Sequence, residues 1–129
     1  MTGVLISYLL KDSAALLALV NTGSIFPYII NEDTALPAIV YTIDSVGPSY
    51  TKDGWSGDTV TFSVVCFSNN YASLEAIAWE IRDALELKSG TYSGIVYWNI
   101  LLTTQSEGYN IAEDVYMNKQ TFSVEIVEY

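Results

Sequence analysis

From Asp58 to Leu85 the sequence switches its apolar period once, and that switch constrains the fold more than any other feature. Val60, Phe62, Val64 and Cys66 alternate with Thr59, Thr61 and Ser63, the period of a strand with one buried face. Asn69 and Asn70 then offer a helix N-cap. Leu74, Ile77, Ala78, Ile81, Ala84 and Leu85 follow at helical spacing within residues 71–88, before Ser89 and Gly90. A strand with one apolar face that feeds a helix with one apolar stripe must bury the two against each other.

The flanking segments extend this unit. Ile39, Tyr41 and Ile43 alternate with Val40, Thr42 and Asp44, which predicts a strand that pairs with residues 58–67 as a hairpin. A second strand pair is predicted from Val96, Trp98, Ile100 and Leu102, alternating with Tyr97, Asn99 and Thr103, and from Phe122, Val124 and Ile126, alternating with Ser123 and Glu125. Residues 3–20 read as a helix broken near Asp12 and Ser13, either of which can cap the second piece, and stopped by Asn21, Thr22 and Gly23. Residues 24–30 read as an extended piece, kept to an edge or a crossing by Pro27. The expected architecture is α+β: an antiparallel sheet of about four strands with helices packed on one face. Residues 1–129 form a single domain, and a chain of this length buries roughly two-thirds of its extended surface.

Two stretches read as long loops. Residues 47–57 carry three glycines, a proline and the aromatics Tyr50 and Trp55; residues 105–118 are polar and acidic, with room for a short strand at Val115 and Tyr116. The acidity is general, with 15 Asp and Glu against 5 Lys and Arg, a formal charge of -10. Half the residues are apolar, so this charge sits on a folded surface instead of marking disorder. Such a field repels phosphate and argues against a nucleic-acid grip.

Reaction chemistry is poorly supplied. There is no histidine, which removes Ser-His-Asp, Cys-His and His-metal arrangements. Cys66 is the single cysteine, so no internal disulfide forms, and its strand position marks it as a core residue. Ser49 and Lys52 have the Ser-x-x-Lys spacing of acyl enzymes, but in a Gly/Pro loop without the partner motifs. Residues 53–58 lack the ligand spacing of an EF-hand. The pairs Glu32, Asp33 and Glu113, Asp114 read as solvated loop acids. No glycine-rich phosphate loop occurs. No cofactor, metal or catalytic residue is expected. The N-terminus lacks a signal-peptide pattern and no stretch is apolar enough for a membrane helix, which predicts a chain made in the cytoplasm. Trp79 lies on the polar side of its helix, to be covered by another segment or used at an interface, and Tyr50 and Trp55 pose the same alternative. Ten tyrosines in a cation-poor chain favour contact over reaction.

The succession of segments resembles the tail-completion, or tail-to-head joining, proteins of long-tailed bacteriophages, whose fold overlaps with that of phage tail terminators. Carrying the resemblance are the leucine-rich start with Asp12, Ser13, Ala14 and Ala15; Gly23-Ser24-Ile25-Phe26; Leu36-Pro37-Ala38-Ile39-Val40-Tyr41; the strand from Val60 to Cys66; the helix Leu74 to Leu85; Gly108 and Tyr109 before Glu113-Asp114-Val115-Tyr116; and Thr121-Phe122-Ser123-Val124.

The resemblance implies a non-enzymatic protein that joins a ring, typically hexameric and monomeric before assembly, at the head-proximal end of the tail tube. There it ends tube growth and docks onto the head connector. Partners would be further copies of itself, the tail-tube protein and the connector, with DNA passing unbound and no membrane involved. The location would be the host bacterial cytoplasm, then the virion tail. Tyr50, Trp55 and Trp79 are then the interface candidates. Glu32, Asp33, Glu107, Glu113 and Asp114 are the acids expected to face channel or solvent. The competing reading is a small acidic ligand-binding domain, or an enzyme that uses carboxylates and tyrosines. A pocket with convergent Asp, Glu and Tyr would favour it.

Overall fold

The computed structural model describes residues 2–28, 35–51 and 54–128, without the side chains of residues 2, 22, 49–51, 55, 56 and 128. Helix α1 spans Thr2–Lys11 and α2 spans Ala14–Leu17. The break falls where Ser13 turns extended and its Oγ accepts from the Leu16 N–H at 3.2 Å. A 3-10 turn, Thr22–Ser24, is capped by the Asn21 side chain. The chain then runs through β1 (Ile25–Pro27), β2 (Ala38–Thr51), β3 (Gly54–Ser68), α3 (Tyr71–Leu85), β4 (Gly90–Tyr92), β5 (Ile95–Asn110) and β6 (Val115–Glu128).

These strands form one six-stranded sheet in the order β1-β2-β3-β6-β5-β4. The expected four are the long central ones; the three-residue β1 and β4 add a strand at each margin. The sheet is mixed and not purely antiparallel, because β1 lies parallel to β2, Ile25 opposite Ile39. Pro27 ends that edge strand, where its missing N–H interrupts no ladder.

Helix α3 forms as its stripe requires. Asn70 is its N-cap, accepting from Ser73 N at 3.1 Å. All six stripe residues, Leu74, Ile77, Ala78, Ile81, Ala84 and Leu85, are buried. Each fully buried Leu or Ile contributes roughly 1.5–3 kcal/mol. Opposite them lie Val60, Phe62, Val64 and Cys66 of β3 and Phe122, Val124 and Ile126 of β6. Phe62 and Phe122 are register partners, and their rings stack with centroids 5.5 Å apart. Burial drives the Cys66 thiol up to about 12, which makes it inert core. Helix α1 spans the same sheet face, packing on β2 and α3 and stacking Tyr8 on Tyr92 of β4 at 4.0 Å. The helix-free face is threaded by Ser63, which donates to Asp44 and bonds Thr121 at 3.2 Å.

Three further expectations need correction. Residues 47–57 and 105–118 are not long loops: β2 continues to Thr51 and β3 begins at Gly54, while β5 and β6 run to a turn at residues 111–114. Residues 104–110 meet water on both faces, so no apolar alternation marks them, and ladder pairing extends the strand there. The second correction concerns facing on β5. Ile95 and Tyr97 are buried, and then a bulge at Asn99, φ 55°, shifts the parity so that Ile100 is buried. Val96 and Trp98 therefore face away from Ile100 and Leu102. Third, α3 ends at Leu85 and not near Lys88, where Glu86 turns extended and Leu87 adopts φ 62°.

Candidate functional site

Because the two long hairpins enter the sheet from opposite ends, their turns lie at opposite ends of the molecule. The β5–β6 turn sits beside the start of α3, tied there by the Asn69 Nδ2 bond to the Asp114 carbonyl at 3.1 Å. Asn110 Oδ1 shapes this turn by accepting from Ala112 N at 3.0 Å, and Asp114 enters β6 with φ 53°. The Tyr109 hydroxyl donates to Asp114 Oδ1 at 2.6 Å.

Around this turn three tyrosines and three carboxylates meet. Tyr109 and Tyr116 are cross-strand partners with ring centroids 4.7 Å apart, and Tyr71, the first residue of α3, sets its ring edge against Tyr116 at 5.4 Å. The Tyr71 phenol is shared between Glu107 of β5 and Glu75 one turn along α3; donation to these carboxylates pushes it up to about 12. Tyr109 is raised likewise by its bond to Asp114. Tyr71 and Tyr109 remain about half exposed, at 48% and 47%. Opposite Glu107 in the ladder, Asn118 is buried, and its amide finds no hydrogen-bond partner among the described residues. Next to it, Gln120 Nε2 donates to the Ala78 carbonyl at 2.7 Å. The cluster holds protons on phenols and presents negative charge, a surface suited to cations.

Trp79 is 65% exposed on the outward side of α3, so no described segment of the chain covers it. With Arg82, Asp83, Glu86 and the exposed Leu87 it lines a shallow groove of about 310 Å³, floored by the ion pair of Arg82 with Glu86. A larger groove of about 620 Å³ runs between α1 and the sheet, and its lining includes Tyr8, Tyr28, Tyr41, Tyr92 and Ile43. Its described charged lining is Lys11 and Asp12, so tyrosines converge there without a group of carboxylates.

Of the residues singled out in the sequence, Glu107, Glu113 and Asp114 are exposed at the β5–β6 end, with Glu107 on a strand and not in a loop. Tyr50 and Trp55 are register partners at the end of the β2–β3 hairpin, far from that cluster, and their side chains lie outside the described residues. Glu32 and Asp33 also lie outside them. The sequence reading missed Tyr71, Glu75, Tyr109 and Tyr116. Asn70 as N-cap already placed Tyr71 at the helix start, but the pairing of Tyr109 with Tyr116 depends on strands that no alternation announces.

Comparison with known proteins places this architecture. A family model described as tail completion protein gp17 matches residues 5–109. A solved chain from the virion of a native gene transfer agent particle shares the fold with TM-score 0.80 at 17% identity, covering 94% of this chain and 90% of its own. A second solved structure, 14% identical, aligns with TM-score 0.58 over 100% of this chain and 98% of its own. No curated protein matches the chain.

Proposed function

Because the chain belongs to the family of tail completion protein gp17, we propose that it closes the head-proximal end of a phage tail tube and joins tail to head. Family membership makes it a structural protein of a phage tail. The finer role is this: copies assemble into a ring, typically of six, that ends tube growth and docks the connector, without an enzymatic step. The protein assembles in the host cytoplasm and remains in the tail. The observation that carries the reading is the family match over residues 5–109. The fold shared with a chain of a gene transfer agent virion supports it, and leaves both true phages and phage-derived particles as settings.

The surface agrees with an assembly part. An uncovered Trp79 and a tyrosine-rich groove are contact surfaces, since amphipathic aromatics concentrate at interfaces. Tyr50, Trp55 and Trp79 then meet neighbours. Glu32, Asp33, Glu107, Glu113 and Asp114 face channel or solvent, where negative potential lets DNA pass without being held.

Inactivating the gene in its phage and examining lysates by electron microscopy tests the role. Filled heads and separate tails of irregular length are expected, with joining restored by the wild-type chain. Normal joined particles would overturn the proposal.

A further inference from the structure

Most of the outer margin of β5 is unpaired among the described residues. Strand β4 covers it only opposite Ile95, Val96 and Tyr97, and the Leu87 amide reaches the Ile100 carbonyl; beyond these, no described strand pairs with it. Exposed edges in natural proteins are blunted by lysine, proline or bulges. The β5 bulges lie at residues 98–104, but residues 104–110 pair with β6 in unbroken register and contain neither lysine nor proline. This is a stretch of strand edge left competent to accept another strand.

The side chains beside that edge state what the strand must carry. Glu107 and Tyr109 lie two residues apart on β5, hence on one face, the face that Tyr71 and Glu75 of α3 border. A residue placed opposite Glu107 meets its carboxylate with Glu75 close by, and one placed opposite Tyr109 meets exposed aromatic surface. Lysine or arginine suits both positions, by ion pairing and by cation–π contact. The chain's own marginal and hairpin strands, β1 to β5, contain no Lys or Arg; the one strand lysine, Lys119, lies on β6, already paired on both sides. The described strands of a second copy therefore offer no unpaired lysine or arginine to this edge.

We propose that residues 104–110 of β5 form a docking edge for an extended segment of another protein, bearing Lys or Arg at alternate positions, which adds to the sheet as a seventh strand. The ladder supplies backbone pairing, and Glu107, Glu75 and Tyr109 read the basic side chains. The inference rests on the reading of this chain as an assembly part and names the chemistry of one partner.

The test uses the full chain and a fluorescent decapeptide of alternating lysine and threonine, followed by anisotropy and by amide chemical shifts. Binding is expected, with shifts at residues 104–110. It should weaken about fivefold in Glu107→Gln and less in Glu80→Gln, since a cross-strand charge pair is worth up to about 1 kcal/mol. The same peptide N-methylated at its threonines keeps its charge but loses backbone donors, and should bind at least about tenfold more weakly. Equal binding of the methylated peptide, equal effects of the two glutamine variants, or no binding would overturn the inference. Shifts at 104–110 that grow with the protein's own concentration, without peptide, would assign the edge to a second copy and overturn it too. None of these outcomes touches tail joining, which the gene-inactivation experiment decides separately.

Discussion

Asn118 and Cys66 stand opposite each other on β6 and β3, both buried beneath α3, and show how chemically potent side chains can be silenced by place. The thiol, pushed up to about 12 by desolvation, has almost no thiolate at neutral pH. Iodoacetamide at pH 8 should modify the folded protein at least about 100 times more slowly than the urea-unfolded chain, as read by mass spectrometry; equal rates would contradict the buried site. Tyr71 shows the opposite case, an exposed group held in one protonation state by its neighbours. Its raised value means that the folded state keeps the phenolic proton better than the unfolded chain does. The resulting stabilisation is complete below about pH 10 and lost as pH rises through about 12. In a 13C-tyrosine NMR titration, Tyr71 should ionise last among the exposed tyrosines, and Glu107→Gln should move it back towards 10. An unchanged Tyr71 titration in that variant would separate the phenol from Glu107.

Among the elements, α3 and the pairing of β2 with β3 were legible because each buries one face, and burial on one face writes a period into the sequence. The six stripe residues of α3 and the inward residues Ile39, Tyr41, Val60, Phe62 and Val64 show this directly. The hairpin arms wrote nothing comparable, since residues 104–110 meet water on both faces and are held by their ladder. Nor could alternation foretell the facing of β5 past Asn99, because a bulge resets the parity. Two of the three clustered tyrosines were hidden for the same reason, as Tyr109 and Tyr116 meet only through the extended arms. Local backbone demands on these arms can be measured at two glycines of β3. At Gly57, φ +129°, an added Cβ would lie 2.7 Å from the Ile126 carbonyl oxygen, whereas at Gly54, φ +114°, it would meet open space. Both alanine substitutions strain the backbone, but only Gly57→Ala also forces β3 away from β6. Thermal unfolding should show Gly57→Ala destabilised by about 2–3 kcal/mol and Gly54→Ala by about 1 kcal/mol. Equal losses would mean that the β3–β6 approach tolerates the extra atom.

For the whole molecule the governing quantity is the charge of -10, which repels DNA in free solution and, in the proposed ring, would repel it in the channel as well. Its effect in the particle depends on where the acids point, because at 0.15 M salt a charge is screened beyond about 8 Å. Acids lining a lumen act on the passing phosphates, and acids on the outer rim do not. Replacing Glu113 and Asp114, the exposed turn acids outside the proposed docking edge, by lysine adds two charges at each position and takes the net from -10 to -6, leaving the core untouched. If the β5–β6 end faces the channel, particles with this variant should eject DNA more slowly than wild type at about 0.05 M NaCl. The difference should fade by about 0.5 M, since phosphate contacts weaken steeply with salt. Fluorescence of a DNA dye during triggered ejection reads the rate, and the salt dependence separates a phosphate contact from a folding defect, which salt would not repair in this pattern. Ejection unchanged at low salt, in particles that still join heads to tails, would place this end on the outer surface and remove DNA passage as the reason for its acidity.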